Sequence, residues 1–134
     1  MKIGVPKEIK PQENRIGLTP DSVKTLVSEG HEVLVENNGG YEAGFENSHY
    51  TSAGAKIIDK AEDIFNDSEI IVKVKEPLLN EVKMIRENQI LFTYLHLDAA
   101  RELTHLPLKD QLLKLIFLNQ YCLIIEELFF FQIF

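Results

Sequence analysis

Tryptophan is absent from this chain, cysteine occurs once, and no glycine follows Gly54. Each scarcity closes off a class of protein. A lone Cys122 cannot form an internal disulfide, which favours a reducing, cytoplasmic setting. Without glycine, the eighty residues after Gly54 cannot build the Gly-x-Gly-x-x-Gly turn that a dinucleotide-binding fold places after a strand. No group of Cys and His residues has metal-ligand spacing, so no metal site is expected. Basic residues are in the minority, 14 against 21 acidic, and the resulting charge of -7 argues against a nucleic-acid or anionic-membrane surface. Long apolar runs are missing too. The uncharged stretch Leu115 to Ile125 falls short of the roughly 20 residues that cross a bilayer. The amino terminus enters a strand directly, without the basic and apolar segments of a signal peptide. No internal repeat is present, and 134 residues suit one domain with a real core.

What is there alternates in period. Lys2 to Val5 and His31 to Glu36 read as strands, with Pro20 to Glu29 a helix between them. Gly39, Gly40 and Gly44 mark a loop that lacks the lysine and hydroxyl of a phosphate-binding turn. A short helix near Glu46 to Ser52, a strand at Lys56 to Ile58 and a helix at Lys60 to Phe65 follow. Ile70 to Lys75 and Gln89 to Leu95 read as strands buried on both sides, separated by a helix at Leu79 to Ile85, and Asp98 to Leu103 begins another helix. This alternation predicts an α/β fold, an open and mostly parallel sheet with helices on both faces.

The first thirty residues carry the densest pattern: Gly4-Val5-Pro6-Lys7-Glu8, then Glu13-Asn14-Arg15, Thr19-Pro20, and Val23-x-x-Leu26-x-x-x-Gly30. Thr19 suits an N-cap, Pro20 the first helical position and Gly30 the left-handed stop, while Val23, Leu26 and Val27 share a face. Capping does not call for Arg15, a two-pronged donor fitted to a carboxylate and standing between the first strand and the helix. Lys75 closes one apolar strand and must reach outward or meet an anion. His96 follows another strand, and imidazole is the side chain whose ordinary pKa lies nearest neutrality. In open α/β sheets ligands sit outside the carboxyl ends of strands, so Arg15, Lys75 and His96 could converge at one edge. His31, His49 and His105 have no such context and read as structural or surface groups.

Together with Ile71-Val72-Lys73-Val74-Lys75-Glu76-Pro77 and Leu91-Phe92-Thr93-Tyr94-Leu95-His96-Leu97, this pattern resembles the alanine dehydrogenase and pyridine nucleotide transhydrogenase family, from Met1 to about Thr104. The Lys-Glu-Pro and the histidine favour the alanine dehydrogenase branch. The resemblance implies that Arg15 clamps the substrate carboxylate, Lys75 binds substrate and His96 is the acid/base. It implies oxidation of L-alanine, with NAD and water, to pyruvate, ammonium and NADH, commonly in a homo-oligomer. Residues 1–104 are then part of a substrate domain, residues 105–134 an atypical apolar tail, and the NAD-binding domain is not in the chain, so the chain alone is expected to be inactive. Five of the eight phenylalanines lie in the tail, which suggests a frame change or truncation, and a hydrophobic helix is expected from about Lys109 to Phe131. Other readings are a transhydrogenase alpha-subunit fragment, more remotely a saccharopine dehydrogenase relative, and a non-catalytic remnant or binding module.

Overall fold

The computed structural model describes residues 1–94 and 114–117. Six strands form one parallel sheet: β1 (Lys2–Val5), β2 (Glu32–Glu36), β3 (Lys56–Ile58), β4 (Ile70–Val72), β5 (Ile90–Thr93) and β6 (Lys114–Phe117). Among the described residues four α-helices lie between them: α1 (Pro20–Ser28), α2 (Asn47–Ser52), α3 (Ala61–Asp67) and α4 (Leu79–Val82). The strand order is β3-β2-β1-β4-β5-β6, so the winding direction reverses between β1 and β4. In such sheets that reversal opens a crevice at the carboxyl ends of the two central strands.

Alternation along the strands explains the layers. Ile3, Val5, Val33, Val35 and Val72 point to one face, where they pack against Val23, Leu26 and Val27 of α1 and Tyr50 of α2. Leu34, Ile71 and Leu91 point to the other, against Ile64 and Phe65 of α3 and Ile85 beyond α4. Burying each of the fully covered aliphatic side chains among these stabilises the fold by about 1.5–3 kcal/mol, enough that neither face could be left bare. Gly4 faces α3, and a methyl group there would sit 2.6 Å from Ile64 Cγ2. A side chain at that position would force the helix off the sheet.

Local signals set the boundaries. Thr19 Oγ1 accepts from the Ser22 N–H at 3.3 Å and Pro20 opens α1. At the other end Gly30 adopts φ +85°, the Gly30 N–H reaches Val27 O, and the His31 N–H reaches Leu26 O. That is the double hydrogen bond of a Schellman stop. His49 is structural, since its Nδ1 accepts from the Glu46 N–H at 3.0 Å and caps α2.

Three expected elements are corrected. The strand expected to run to Lys75 ends at Val72, because the Val74 and Lys75 N–H groups turn to the Glu8 carboxylate. Beyond Val82, the Met84 and Ile85 N–H groups bond three residues back, a tightening that ends α4 before Ile85. Residues 114–117 form β6, a strand paired in parallel with β5, where a hydrophobic helix was expected. The open edge of β5 offers a row of backbone donors and acceptors, and that pairing outweighs the local helical spacing. The helix start at Asp98 to Leu103, His96, His105, Cys122 and the rest of the tail lie outside the described residues.

Candidate functional site

The crevice at the β1/β4 reversal is built from the loop after β1 and the segment after β4. Residues 6–18 leave β1, cross the sheet edge and return to α1. Three contacts pin this loop. Ile16 is buried in the core, the Leu18 carbonyl accepts from the buried Tyr50 hydroxyl at 3.0 Å, and Gly17 lies so close to β4 that a Cβ would stand 2.6 Å from the Val72 carbonyl oxygen. Burial pushes the Tyr50 phenol up to about 12, so it stays a donor. Arg15 is therefore carried over the carboxyl end of β4, where Lys75 stands three residues past the last strand residue. Proximity is also electrical: the Lys75 charge contributes to lowering the Glu13 carboxyl.

Glu13 and Arg15 form a two-pronged pair. Nε donates to Oε1 at 2.8 Å and Nη2 to Oε2 at 2.6 Å, while the Arg15 backbone N–H adds a third contact to Oε1 at 3.0 Å. This hydrogen bonding, more than any other cause, holds Glu13 down at about 2. The same partner raises Arg15 further above its ordinary value, with smaller contributions from Glu8 and Tyr94. The Arg15 side chain is 66% exposed and the Glu13 side chain 6%, covered by its own loop and the guanidinium. Tyr94, half exposed at the end of β5, completes the polar group in this quarter of the edge.

Beneath it lies a buried ionic cluster. Lys73 Nζ donates to Glu81 Oε1 at 2.7 Å and lies 3.4 Å from Glu8 Oε2, with all three side chains at most 2% exposed. Each carboxylate is satisfied again by backbone: Glu8 Oε1 accepts from Val74 N–H at 2.6 Å and Lys75 N–H at 3.4 Å, and Glu81 Oε2 from Leu78 N–H at 2.9 Å. A buried charge survives only when paired and hydrogen-bonded in this way. Glu8 thus ties the end of β1 to the backbone of Lys75. Lys10 pairs with Glu76 alongside. Lys75 is the exception. Among the described residues no carboxylate lies within ion-pair distance of it, and it stands half-buried at the crevice.

Of the three expected site residues, Arg15 and Lys75 come to the same carboxyl edge, and His96 lies outside the described residues. Sequence reasoning misses Glu8, Glu13, Lys73 and Glu81 as members of the site. For three of them a signal is present, a lysine in an apolar run at Lys73 and the glutamates Glu8 and Glu13 of the first motif, whereas Glu81 lies outside every motif. A separate cleft of about 370 Å³, bordered by Lys7, Lys60, Glu62 and Glu81, opens toward α3 and α4 and includes neither Arg15 nor Lys75. Of its charged residues, Glu81 is already paired with Lys73. Among the described residues no group of His, Cys, Asp or Glu is placed to hold a metal, and no helix is long and apolar enough to cross a membrane.

The fold and its edge define a class: a doubly wound, parallel α/β domain with an arginine fork and a lysine at its switch-point edge. Residues 4–116 match the family model described as alanine dehydrogenase/PNT, N-terminal domain, and the chain belongs to that family. The match continues past Thr104 as far as β6. The chain is 54% identical over 104 residues to an alanine dehydrogenase of Staphylococcus epidermidis, covering 78% of this chain and 28% of that one. It is 53% identical over 111 residues to the alanine dehydrogenase of Bacillus subtilis, covering 83% and 29%. Among solved structures an L-alanine dehydrogenase superposes with a TM-score of 0.74 at 55% identity, covering 78% of this chain and 28% of that chain. A transhydrogenase from Sinorhizobium meliloti reaches 0.65 at 29% identity, covering 69% and 26%. The resemblance to the alanine dehydrogenase branch is thus matched by the higher identity, and the chain spans under a third of the length of these relatives.

Proposed function

We propose that this chain forms the substrate-binding part of an L-alanine dehydrogenase, the enzyme that converts L-alanine, NAD and water to pyruvate, ammonium and NADH. The strongest support is the meeting of Arg15 and Lys75 at the switch-point crevice of a chain more than half identical to alanine dehydrogenases. Arg15 takes the substrate carboxylate through its planar donors. Lys75 brings a compact positive charge to the oxygen of pyruvate or of the carbinolamine that precedes it, where negative charge gathers. His96 is the proposed acid/base, exchanging a proton with the substrate nitrogen or oxygen near neutral pH.

The loop after β1 does not fit the dinucleotide. The turn after β1 reads Pro6-Lys7-Glu8, and the one glycine of that loop, Gly17, is pressed against a strand carbonyl instead of facing open space. NAD therefore belongs to the proposal through the family alone, held by residues other than these, and no step is assigned to it. A cytoplasmic location and a homo-oligomeric enzyme enter on the same footing. The division into a substrate domain over 1–104 and an apolar tail over 105–134 rests instead on the composition of the tail, and the family match crosses that boundary.

A chimera tests the reading. Residues 1–104 of this chain replace the matching segment of the Staphylococcus epidermidis enzyme, and NADH formation from L-alanine is followed by absorbance. Alanine-dependent turnover that falls by roughly two to four powers of ten in His96→Ala, and a large rise in KM in Arg15→Ala, are the expected results. A folded chimera that turns over normally without Arg15 and His96 would refute it. The 134-residue chain by itself is expected to form no NADH.

A further inference from the structure

A guanidinium has two edges that can grip a carboxylate, one made by Nε and Nη2 and one by Nη1 and Nη2. In this chain Glu13 occupies the first edge completely, with Nε and Nη2 at 2.8 and 2.6 Å from its two oxygens. Nη1 and the second hydrogen of Nη2 make no hydrogen bond to any described residue. The end-on edge is thus presented outward, on a side chain that is mostly exposed and would otherwise sample many rotamers.

Glu13 is itself well fixed. The Glu13 N–H bonds to Lys10 O at 3.1 Å across a turn in which Gln12 takes φ +66° after Pro11. Its Oε1 also accepts from the Arg15 backbone N–H, which closes a small ring between the two residues and fixes the arginine from both ends. Two positions later Gly17 is wedged on β4. The carboxylate is therefore a rigid post, and the arginine leans on it.

We propose that Glu13 is a positioning residue for carboxylate recognition: it holds Arg15 side-on so that the Nη1/Nη2 edge faces the crevice beside Lys75 and receives the carboxylate of a small 2-oxo or 2-amino acid. The inference rests on the proposed substrate role of Arg15. It adds the reason why a fork on a flexible, solvent-facing stem can bind a three-carbon acid selectively. Glu13 touches no reacting atom; it acts through Arg15 by removing the ordering cost of one long side chain at binding, an effect on the order of tenfold in affinity.

Pyruvate titration of the 15N-labelled 134-residue chain, read by NMR, tests this with three variants. Arg15→Ala tests the parent reading, and pyruvate affinity must fall. Glu13→Ala is expected to weaken pyruvate about tenfold, and Glu13→Gln, which keeps one acceptor for the Nε–H, by less. A second readout does not depend on the ligand. The Arg15 Nε–H resonance should be slowly exchanging in the parent chain, lost to exchange in Glu13→Ala and partly restored in Glu13→Gln. If pyruvate does not bind, or Arg15→Ala binds it normally, the substrate reading falls and this inference with it. If Arg15→Ala weakens binding but Glu13→Ala binds pyruvate as well as or better than the parent, the parent reading survives and Glu13 is a bystander or a competitor. A Glu13→Ala chain that fails to fold leaves the decision to Glu13→Gln, where unchanged Nε–H exchange and affinity would overturn the proposal.

Discussion

Replacing Gly17 by alanine should loosen the protein and misplace its arginine at the same time. The added methyl would stand 2.6 Å from Val72 O and 3.0 Å from Val72 C, both backbone atoms of β4. β4 is paired on both sides, with β1 and β5, so the strand cannot yield and the loop must. Opening the contact to an ordinary separation near 3.4 Å moves the loop by about 0.8 Å. Overpacking of this kind costs about 1–3 kcal/mol, a fall in Tm of roughly 4 to 11 °C for a chain of this size. Arg15 is two residues away and travels with the loop. Displacements near 1 Å at a binding group can cost as much as a hundredfold, so pyruvate affinity should drop about ten- to a hundredfold. Gly30→Ala is the control. It has open space around it but φ +85°, so alanine there costs about 1–2 kcal/mol through backbone strain, at the far end of α1. Calorimetry and pyruvate titration of both variants separate the two effects. Equal destabilisation with unchanged pyruvate affinity in Gly17→Ala, or no destabilisation at all, would show that the wedge does not position the loop.

Three further outcomes follow from the same geometry. Tyr50→Phe removes the donor to Leu18 O and leaves that carbonyl without its partner, so urea denaturation should show a loss of about 1–3 kcal/mol with an unchanged m-value. Lys73→Met strands two buried carboxylates, Glu8 and Glu81, and should cost about 3–5 kcal/mol; a loss under about 1 kcal/mol would mean that the cluster is hydrated in solution. Glu13 titrates at about 2 in the folded chain against an ordinary value of 4.5, so its lowered pKa contributes stability above pH 4.5 that disappears as pH falls toward 2. The stability gap between the parent chain and Glu13→Gln should therefore close over that interval, and it should be small throughout because the Arg15 partner is largely in water.

The elements that could be read from the sequence are those whose cause is local. Thr19, Pro20 and Gly30 state the limits of α1 within a few residues of where they act, and the alternation of Val33, Leu34 and Val35 assigns opposite faces of β2 without reference to anything distant. Arg15 and Lys75 were legible because loops after parallel strands meet at one edge whatever the strand order. Lys73 was harder: a buried lysine directly after an apolar strand is explained only by Glu8, far earlier in the chain, and by Glu81 in the next helix. The end of β4 depends on that same distant carboxylate. β6 depends on the exposed edge of β5, a property of the assembled sheet that no window around residues 114–117 contains.

The charge pattern explains why the candidate site must work at short range. The chain carries a net charge of -7, so its far field repels a carboxylate instead of steering one in. At physiological salt that field dies within about 8 Å, and what remains is decided by individual groups. Along the crevice almost every cation is already committed: Lys10 to Glu76, Lys73 to Glu8 and Glu81, and one edge of Arg15 to Glu13. These pairs fix the backbone and hold the arginine but leave little charge for a ligand. Lys75 and the second edge of Arg15 are the exceptions, one a point charge and the other a planar fork. In the proposed function, a small acid would place its carboxylate on the fork and its neighbouring oxygen or nitrogen near the lysine. Under the proposed substrate reading, discrimination at this edge would follow from two groups held by carboxylates, Arg15 by Glu13 and the Lys75 backbone by Glu8, so residues that never touch the substrate would count among those that select it.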